Sequence, residues 1–227
     1  MVSTFQNYLL SKVKASETLL NFVAAIYSSK TSIFLKGSKH NKIQYTGAFL
    51  KKTDIKISGS NNIIDIAPKV RLINCLLNIR GNHCRIRIDP SCTLKNVELW
   101  IEDTGSQIII ESRTTIEGGH LASTEGKTIT IGNDCMFSNH IEIRNGDSHS
   151  IFSTESSQRI NPAKEVKIGN HVWLGSDVKV LKGTVIDDGT IIGTGSIVSG
   201  LIDSNCIYAG IPAKKVKEHV SWRRDRK

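Results

Sequence analysis

The sequence of 227 residues is poor in aromatic side chains, which make up 6% of the chain, and it contains only four prolines. No apolar run reaches the roughly 18 residues that a membrane-spanning helix needs. The first residues lack the charge cluster and cleavage pattern of a secretory signal. The five cysteines form no CxxC pair, and their odd number favours a reduced chain in the cytoplasm whose cysteines pack in the interior.

Acidic residues are scarce at both ends of the chain, and the formal net charge is +9. Residues 1–52 hold eight lysines against Glu17, and residues 214–227 hold seven lysines and arginines against Glu218 and Asp225. Basic termini could face a phosphorylated cofactor, an acidic polymer, a nucleic acid or an anionic membrane surface. Simple solvated charge is the alternative.

What the sequence does contain is a period of six in its last third. Every sixth residue is aliphatic, in the series Ile168, Leu174, Val180, Ile186, Ile192 and Val198. Four residues after each of the first five is a small or β-branched residue, in the series Val172, Val178, Thr184, Thr190 and Ser196. Neither a helix nor a simple strand has this period, which is typical of a solenoid.

A period of six predicts a triangular coil in which three short strands are separated by sharp corners. The aliphatic residue points into the prism, and the small residue lies near a corner where a larger one would clash. Stacked coils pair their strands in parallel and enclose one continuous apolar core. Another kind of parallel β-helix, or a sandwich whose alternation mimics this period, is the alternative.

Longer coils precede the hexads. Related segments are anchored by Ile66, Ile88, Ile110, Ile131 and Ile168 at intervals of 21 or 22 residues, except that the last interval is 37. The longer interval predicts an inserted loop over about residues 147–165. Long excursions from a regular solenoid are usually functional.

The ends of the chain differ from the repeat. Residues 4–28 place apolar residues at helical spacing, which predicts one or two amphipathic helices that cap the open end of the prism. Lys12 and Lys14 flank this apolar face, so contact with a membrane surface is an alternative role. We therefore predict a helical extension over 1–50, a β-helix over 51–213, and a short helix with a basic tail over 214–227.

The hexads, with the segment "VKIGNHVWLGSDVKVLKGTVIDDGTIIGTGSIVSG" and the ending "YAGIPAKKVK", resemble the hexapeptide-repeat acyltransferase family. The stretch "ITIGNDCMFSNHIEIRNGDSHSI" is similar to its capsular-polysaccharide and sialic-acid O-acetyltransferases. The resemblance implies an all-β, left-handed parallel β-helix, and a homotrimer that binds acetyl-CoA between neighbouring prisms. The left hand comes from the resemblance alone, since parallel crossovers are normally right-handed.

Transfer of an acetyl group to a hydroxyl needs a base, and histidine is the natural one at neutral pH. His149 lies where the predicted insertion begins, and it precedes Trp173 by 24 residues, the spacing of the catalytic histidine and tryptophan in the family that this chain resembles. Trp173 precedes an inward aliphatic residue and should point outward. The resemblance implies that Trp173 forms a wall of the acetyl-CoA channel; plain subunit packing is the alternative. Asp147, Ser148 or a backbone carbonyl could orient His149.

Other candidate residues follow from chemistry and resemblance together. The N–H groups of Gly175 and Ser176 could hold the thioester oxygen. The segment Gly193, Thr194, Gly195 is similar to one that follows the pantetheine arm, although tight corners would also explain its glycines. Pro212 should stop the last coil. Lys214 and Lys217 match positions that meet CoA phosphates in the family, with a solvated tail as the alternative.

Candidates on the acceptor side are His120, Asn139 and Arg144, where Arg144 could meet a carboxylate if the acceptor is acidic. His140, His149 and His171 could in principle form a zinc site of the kind found in β-helical carbonic anhydrases. The sequence lacks that family's histidine pair, so we predict no metal. A noncatalytic scaffold would leave His149 and Trp173 without a role.

Together these features predict an acetyl-CoA-dependent O-acetyltransferase acting on a sugar hydroxyl of a bacterial surface polysaccharide or its precursor. The alternative is N-acetylation of an amino sugar or a nucleotide-linked sugar. We expect a cytoplasmic protein with no nucleic-acid partner, and association with the inner membrane through the basic termini as a further option.

Overall fold

In a computed structural model, which describes residues 31–36 and 40–225, the chain forms three parallel sheets that we call sheets A, B and C. Each coil contributes one strand to each sheet in turn, so the sheets are the three sides of a prism. The described residues contain 25 strands and no helix, and therefore no helix that could cross a membrane.

Sheet A is made of β1 (Ser32–Lys36), β4 (Asp54–Ser58), β7 (Leu76–Arg80), β10 (Val97–Glu102), β13 (Gly119–Ser123), β16 (Ile141–Arg144), β19 (Lys179–Val180) and β22 (Ile197–Val198). Sheet B is made of β2 (Lys42–Gln44), β5 (Ile63–Ile66), β8 (Arg85–Ile88), β11 (Gln107–Ile110), β14 (Thr128–Ile131), β17 (Val166–Ile168), β20 (Val185–Ile186) and β23 (Leu201–Ile202). Sheet C is made of β3 (Phe49–Lys51), β6 (Arg71–Ile73), β9 (Thr93–Lys95), β12 (Thr115–Ile116), β15 (Met136–Phe137), β18 (Trp173–Leu174), β21 (Ile191–Ile192), β24 (Ile207–Gly210) and β25 (Ala213–Lys217).

The predicted core positions are confirmed. All six hexad aliphatics are at most 2% exposed, and the five small residues that follow them are buried. The anchors of the longer coils stack directly in sheet B, where Ile88 pairs with Ile66 and Ile110, and Ile131 pairs with Ile110 and Ile168. Each stacked layer removes apolar surface from water, which stabilises the prism by about 25 cal/mol per Å².

The small residues at the corners also satisfy backbone groups. The Thr190 hydroxyl donates to the Asp203 carbonyl at 2.8 Å, and the Ser196 hydroxyl donates to the Gly193 carbonyl at 2.6 Å. Buried carbonyls need such partners because the corners interrupt the strand ladders. All five cysteines are free and buried. Burial raises the pKa of the Cys92 thiol to about 11, which keeps this thiol protonated.

The predicted start of the β-helix is wrong. The β-helix begins before residue 51, since β1, β2 and β3 pair with the next strand in each sheet. Their inward residues, such as Leu50, extend the same core. The helices predicted for residues 4–28 lie outside the described residues.

The short helix predicted after Pro212 is a strand. The chain reverses at Pro212, and β25 pairs antiparallel with β24. Without β25, the edge of sheet C would expose unpaired N–H and C=O groups, so the reversal covers an open edge. Pro212 does end the parallel coils, as predicted.

Candidate functional site

The inserted loop occupies residues 145–165, between β16 and β17, and so leaves the prism at the corner between sheets A and B. This agrees with the insertion predicted over 147–165. His149 lies at its start, and its side chain is exposed. The N–H of His149 donates to the Asp147 carbonyl at 2.8 Å.

Asn161 is the centre of this loop. It is 6% exposed. Its amide nitrogen donates to the His149 carbonyl at 2.8 Å and to the Asp147 carboxylate at 2.9 Å. Its amide oxygen accepts the N–H of Ile151 at 2.7 Å. One side chain therefore holds the backbone that follows the histidine, at the His149 carbonyl and the Ile151 N–H, and also holds the Asp147 carboxylate before it.

Two ion pairs tie the loop to the prism. Lys182 contacts the Asp147 carboxylate, and hydrogen bonds from Lys182 and then from Asn161 lower the pKa of Asp147. Arg159 binds Glu125 through both terminal nitrogens, and the hydrogen bond from Arg159 lowers the pKa of Glu125. The Asp147 carboxylate therefore binds Lys182 and Asn161. Asp147 was one of three groups predicted to orient His149, together with Ser148 and a backbone carbonyl.

Trp173 projects from the outer face of sheet C, as predicted. Its side chain is 37% exposed, and it stacks in register between Met136 and Ile191. A second indole, that of Trp222, lies 6.1 Å away and is tilted by 52°. Trp173 therefore has one covered side and one side open to solvent.

The predicted oxyanion donors differ from each other. The Gly175 N–H donates to the Ile192 carbonyl at 2.8 Å, so the sheet already uses it. A Cβ on Gly175 would approach the Thr194 backbone to 2.7 Å, which explains the glycine by close packing of coils. The Ser176 N–H has no hydrogen-bond partner in the described part of the chain, and the Ser176 hydroxyl contacts the Ser138 hydroxyl at 2.8 Å. Ser176 remains a candidate donor, whereas the Gly175 N–H is already engaged by the Ile192 carbonyl in this structure.

The segment Gly193, Thr194, Gly195 forms the corner between sheets C and A one coil later. The Gly193 N–H donates a hydrogen bond to the Tyr208 carbonyl at 2.8 Å. Gly195 has φ of +72°, and no atom lies within 4 Å of where its Cβ would be. A corner conformation therefore explains Gly195, and Thr194 is exposed beside it.

Strand β25 carries the predicted phosphate-binding lysines. Lys214 and Lys217 are exposed and make no ion pair within the described ranges. Lys215 pairs with Asp203 at 2.6 Å and Glu218 at 2.7 Å, and these contacts raise its pKa. Lys214 and Lys217 are thus available to an anion, while Lys215 is held by its own neighbours.

The three predicted acceptor residues line one groove of about 580 Å³. The groove follows the corner between sheets C and A and continues onto sheet A. It is lined by Asn96, Glu98, Gly118, Gly119, His120, Asn139, His140, Ile141, Glu142 and Arg144. Asn96 and Glu98, which join them, were not predicted from the sequence.

Several polar and charged side chains in the groove have a partner one coil away or closer. Nδ1 of His120 lies 2.9 Å from Oε2 of Glu98, its register partner on β10, so Nε2 is left for a ligand. Nε of Arg144 donates to Glu142 at 2.6 Å. The groove can therefore offer a positioned imidazole and the outer N–H groups of a guanidinium.

The three histidines considered for zinc do not meet. His140 lies at the corner between sheets C and A, His149 at the corner between A and B, and His171 at the corner between B and C. Among the described residues, no group of three histidine, cysteine or acidic side chains could hold a metal.

Asn161 and Trp222 were not predicted from the sequence. Asn161 lies in a polar loop without periodicity, and its only signal is its place inside the 37-residue interval. Trp222 lies in the segment predicted to form a short helix with a basic tail, but it is 5% exposed and packs on His171. A large aromatic residue in an otherwise polar, charged segment was the available signal.

Comparisons with known proteins agree with this architecture. A family model described as bacterial transferase hexapeptide (six repeats) matches residues 165–200. A polysialic acid O-acetyltransferase of Neisseria meningitidis is 34% identical over 181 residues, covering 79% of this chain and 83% of the relative. One of Escherichia coli O1:K1 is 38% identical over 120 residues, which is 53% of this chain and 39% of that relative.

Two solved structures match at the level of the whole fold. The polysialic acid O-acetyltransferase OatWY superposes with a TM-score of 0.83 at 32% identity, covering 87% of this chain and 92% of that one. The polysialic-acid-specific acetyltransferase NeuO gives a TM-score of 0.77 at 32% identity, covering 87% and 91%. The prism is accordingly a left-handed β-helix. With this fold, this repeat and this coverage, the chain belongs to the hexapeptide-repeat acyltransferase family, among its O-acetyltransferases.

Proposed function

We propose that the protein transfers an acetyl group from acetyl-CoA to a hydroxyl of a bacterial surface polysaccharide, and that polysialic acid is the first acceptor to test. The observation that carries the proposal is the similarity to a polysialic acid O-acetyltransferase over 83% of that relative's length. The groove along the corner between sheets C and A adds a place for a sugar. N-acetylation of an amino sugar stays the alternative outcome of the test.

A homotrimer would complete the site. The residues suited to acetyl-CoA and acceptor lie on sheet C and along the corner between sheets C and A, whereas His149 leaves the opposite corner, between A and B. The loop that carries His149 also exposes Ile151, Phe152 and Ile160, which are 52%, 58% and 61% exposed. Exposed apolar groups on one loop favour contact with another surface. We therefore place His149 of one copy over the groove of the next.

Acetyl-CoA would lie along sheet C. The open side of Trp173 offers an apolar wall for the pantetheine arm, and the exposed corner at Thr194 continues the same track. Lys214 and Lys217 would meet the phosphates by charge complementarity. The free N–H of Ser176 lies at the corner between these residues and the acceptor groove.

The acceptor would occupy the groove of His120, Asn139 and Arg144. A sialic acid unit carries one carboxylate, which suits the outer nitrogens of a guanidinium. Nε2 of His120 and the amide of Asn139 would bind hydroxyl groups. Glu142 holds the Arg144 side chain in place, so the guanidinium is already oriented before the acceptor arrives.

The chemistry then follows in one displacement. The His149 imidazole takes the proton of the acceptor hydroxyl while the hydroxyl oxygen bonds to the thioester carbonyl carbon. The Ser176 N–H donates to the resulting oxyanion. When the carbon–sulfur bond breaks, the imidazolium returns its proton to the sulfur and CoA leaves as a thiol.

The test is thiol release from acetyl-CoA with a panel of polysialic acid, neutral capsular polymers, free sugars and nucleotide-linked amino sugars. We expect release with an acidic polymer and retention of the acetyl group as an alkali-labile ester. Release with an amino sugar alone, giving an alkali-stable amide, would replace this proposal by N-acetylation. No binding of acetyl-CoA at all would overturn it.

We also propose a cytoplasmic protein. The support is that all five cysteines are free thiols buried in the prism, as expected in a reducing compartment.

A further inference from the structure

The C-terminal segment 218–225 turns back and runs along the corner between sheets B and C. The Val220 N–H donates to the Asn205 carbonyl at 2.9 Å, on the last coil. Further along, Trp222 reaches His171, and Arg224 reaches Asp134 and Thr115 on earlier coils. The segment therefore crosses several coils in the direction opposite to their stacking.

Trp222 is joined to His171 in three ways. The two rings stack in parallel, with centroids 3.9 Å apart and an interplanar angle of 4°. The indole Nε1 donates to the His171 carbonyl at 2.8 Å, and Nε2 of His171 lies 3.0 Å from the Trp222 carbonyl. Stacking with reciprocal hydrogen bonds fixes both the position and the tilt of the indole.

Arg224 closes the arrangement. Its Nε donates to the Asp134 carboxylate at 2.9 Å, and its terminal nitrogens donate to Thr115 and to the carbonyls of Arg113 and Cys135. The other Asp134 oxygen lies 2.8 Å from Nδ1 of His171. Burial would raise the pKa of Asp134, but the hydrogen bonds from His171 and Arg224 outweigh it and lower that pKa.

The network ends beside the candidate acetyl-CoA wall. His171 precedes Trp173 by two residues, and the Trp222 indole contacts Trp173 on the side away from the groove. Trp173 has no hydrogen-bonded side chain in the described part of the protein, so its exposed indole would otherwise choose among rotamers. If the Trp173 indole changed rotamer freely, a ligand would have to order it on binding, which would weaken the affinity.

We propose that Trp222 is a positioning residue for Trp173, and that the segment 218–225 sets the wall against which acetyl-CoA binds. The expected effect on acetyl-CoA binding rests on the proposed function. The positioning itself is a property of the free protein and can be measured without any substrate.

The test compares two neighbouring arginines. Arg224→Ala removes the hydrogen bonds that hold the segment 218–225 to earlier coils but keeps both indoles. Arg223→Ala makes the same change of charge at an exposed residue that has no hydrogen bond or ion pair in the described ranges. In Arg224→Ala we expect loss of the exciton signal of the Trp173–Trp222 pair in circular dichroism. We also expect KM for acetyl-CoA to rise about threefold to tenfold, with kcat within about twofold. Arg223→Ala should leave all three unchanged.

Trp222→Phe is the second variant, since it keeps an aromatic ring on His171 and should fold. The same selective rise in KM is expected. A lower melting temperature with unchanged KM and an unchanged exciton signal in Arg224→Ala would overturn the proposal, because the segment would then only cap the corner. If the native protein does not bind acetyl-CoA, the proposed function fails, and the exciton signal alone decides the positioning.

Discussion

The prism and the inserted loop are stabilised in opposite ways. Inside the prism, residues such as Ile143 and Ile168 are at most 2% exposed and repeat in every coil. In the loop, Ile151, Phe152 and Ile160 are exposed, and the backbone is held by the amide of Asn161. Stability is thus shared among many equivalent contacts in the prism, whereas the loop depends on a few polar ones. A single change in the loop can therefore displace His149 without unfolding the protein.

The largest effect should come from the loop. His149→Ala should lower kcat about 10²- to 10⁴-fold, the usual contribution of a general base. The melting temperature should hold, since this side chain is exposed. His149→Asn compared with His83→Asn, a change at another exposed histidine, separates the base from a general effect of losing an imidazole. Undiminished turnover in both His149 variants would remove this residue from the mechanism.

A change in the prism should do the reverse. Ile143→Ala truncates a fully buried side chain of β16 and should cost about 2–5 kcal/mol of the free energy of unfolding. Denaturant unfolding measures this cost, and Ile160→Ala in the exposed part of the loop is the matched control. Equal losses from the two variants would contradict the contrast between a packed prism and a loop held by polar contacts.

Asn161→Ala tests whether the inserted loop can lose its conformation while the prism stays folded. It removes the hydrogen bonds to both Asp147 and the His149 carbonyl. Displacement of a base by about 1 Å can cost about 10²-fold, so we expect kcat to fall about 10- to 100-fold. Unfolding of the prism should shift little. Gln158→Ala, which truncates an exposed amide of the same loop, should leave kcat near the native value; an equal loss there would point to general loosening.

The smallest effect concerns pH. The folded-state pKa of Glu125 is lowered, first by the hydrogen bond from Arg159 and then by the Ala163 N–H. A lowered pKa means that the contact stabilises the loop above the ordinary glutamate pKa and is lost as pH falls through the folded value. Amides of residues 145–165 should therefore lose hydrogen-exchange protection in acid before those of the prism. Glu125→Gln should reduce this difference between loop and prism, and the pair of Lys182 with Asp147 should account for the part that remains. Simultaneous loss of protection in loop and prism of the native protein would refute the prediction.

The sequence predicted the prism well because the direction of each inward side chain depends on its own backbone. The ladder from Ile66 to Ile168 and the corner residue Ser196 follow from spacing alone. The first coil was missed since residues 31–50 lack hexads and follow a segment with helical spacing. Strand β25 was missed because its pairing depends on the open edge of β24, which is not visible locally.

The sequence by itself determined the triangular prism and the place of the insertion, since a short-range period specifies both. The left hand of the coil and the role predicted for His149 came from the resemblance to the family and not from the period. Only the tertiary structure decided which corner each candidate occupies, that His120 faces Glu98, and that the last residues lock Trp222 onto His171. These contacts join residues 22 and 51 positions apart. Such pairings arise when coils stack and the chain turns back, so no local pattern specifies them.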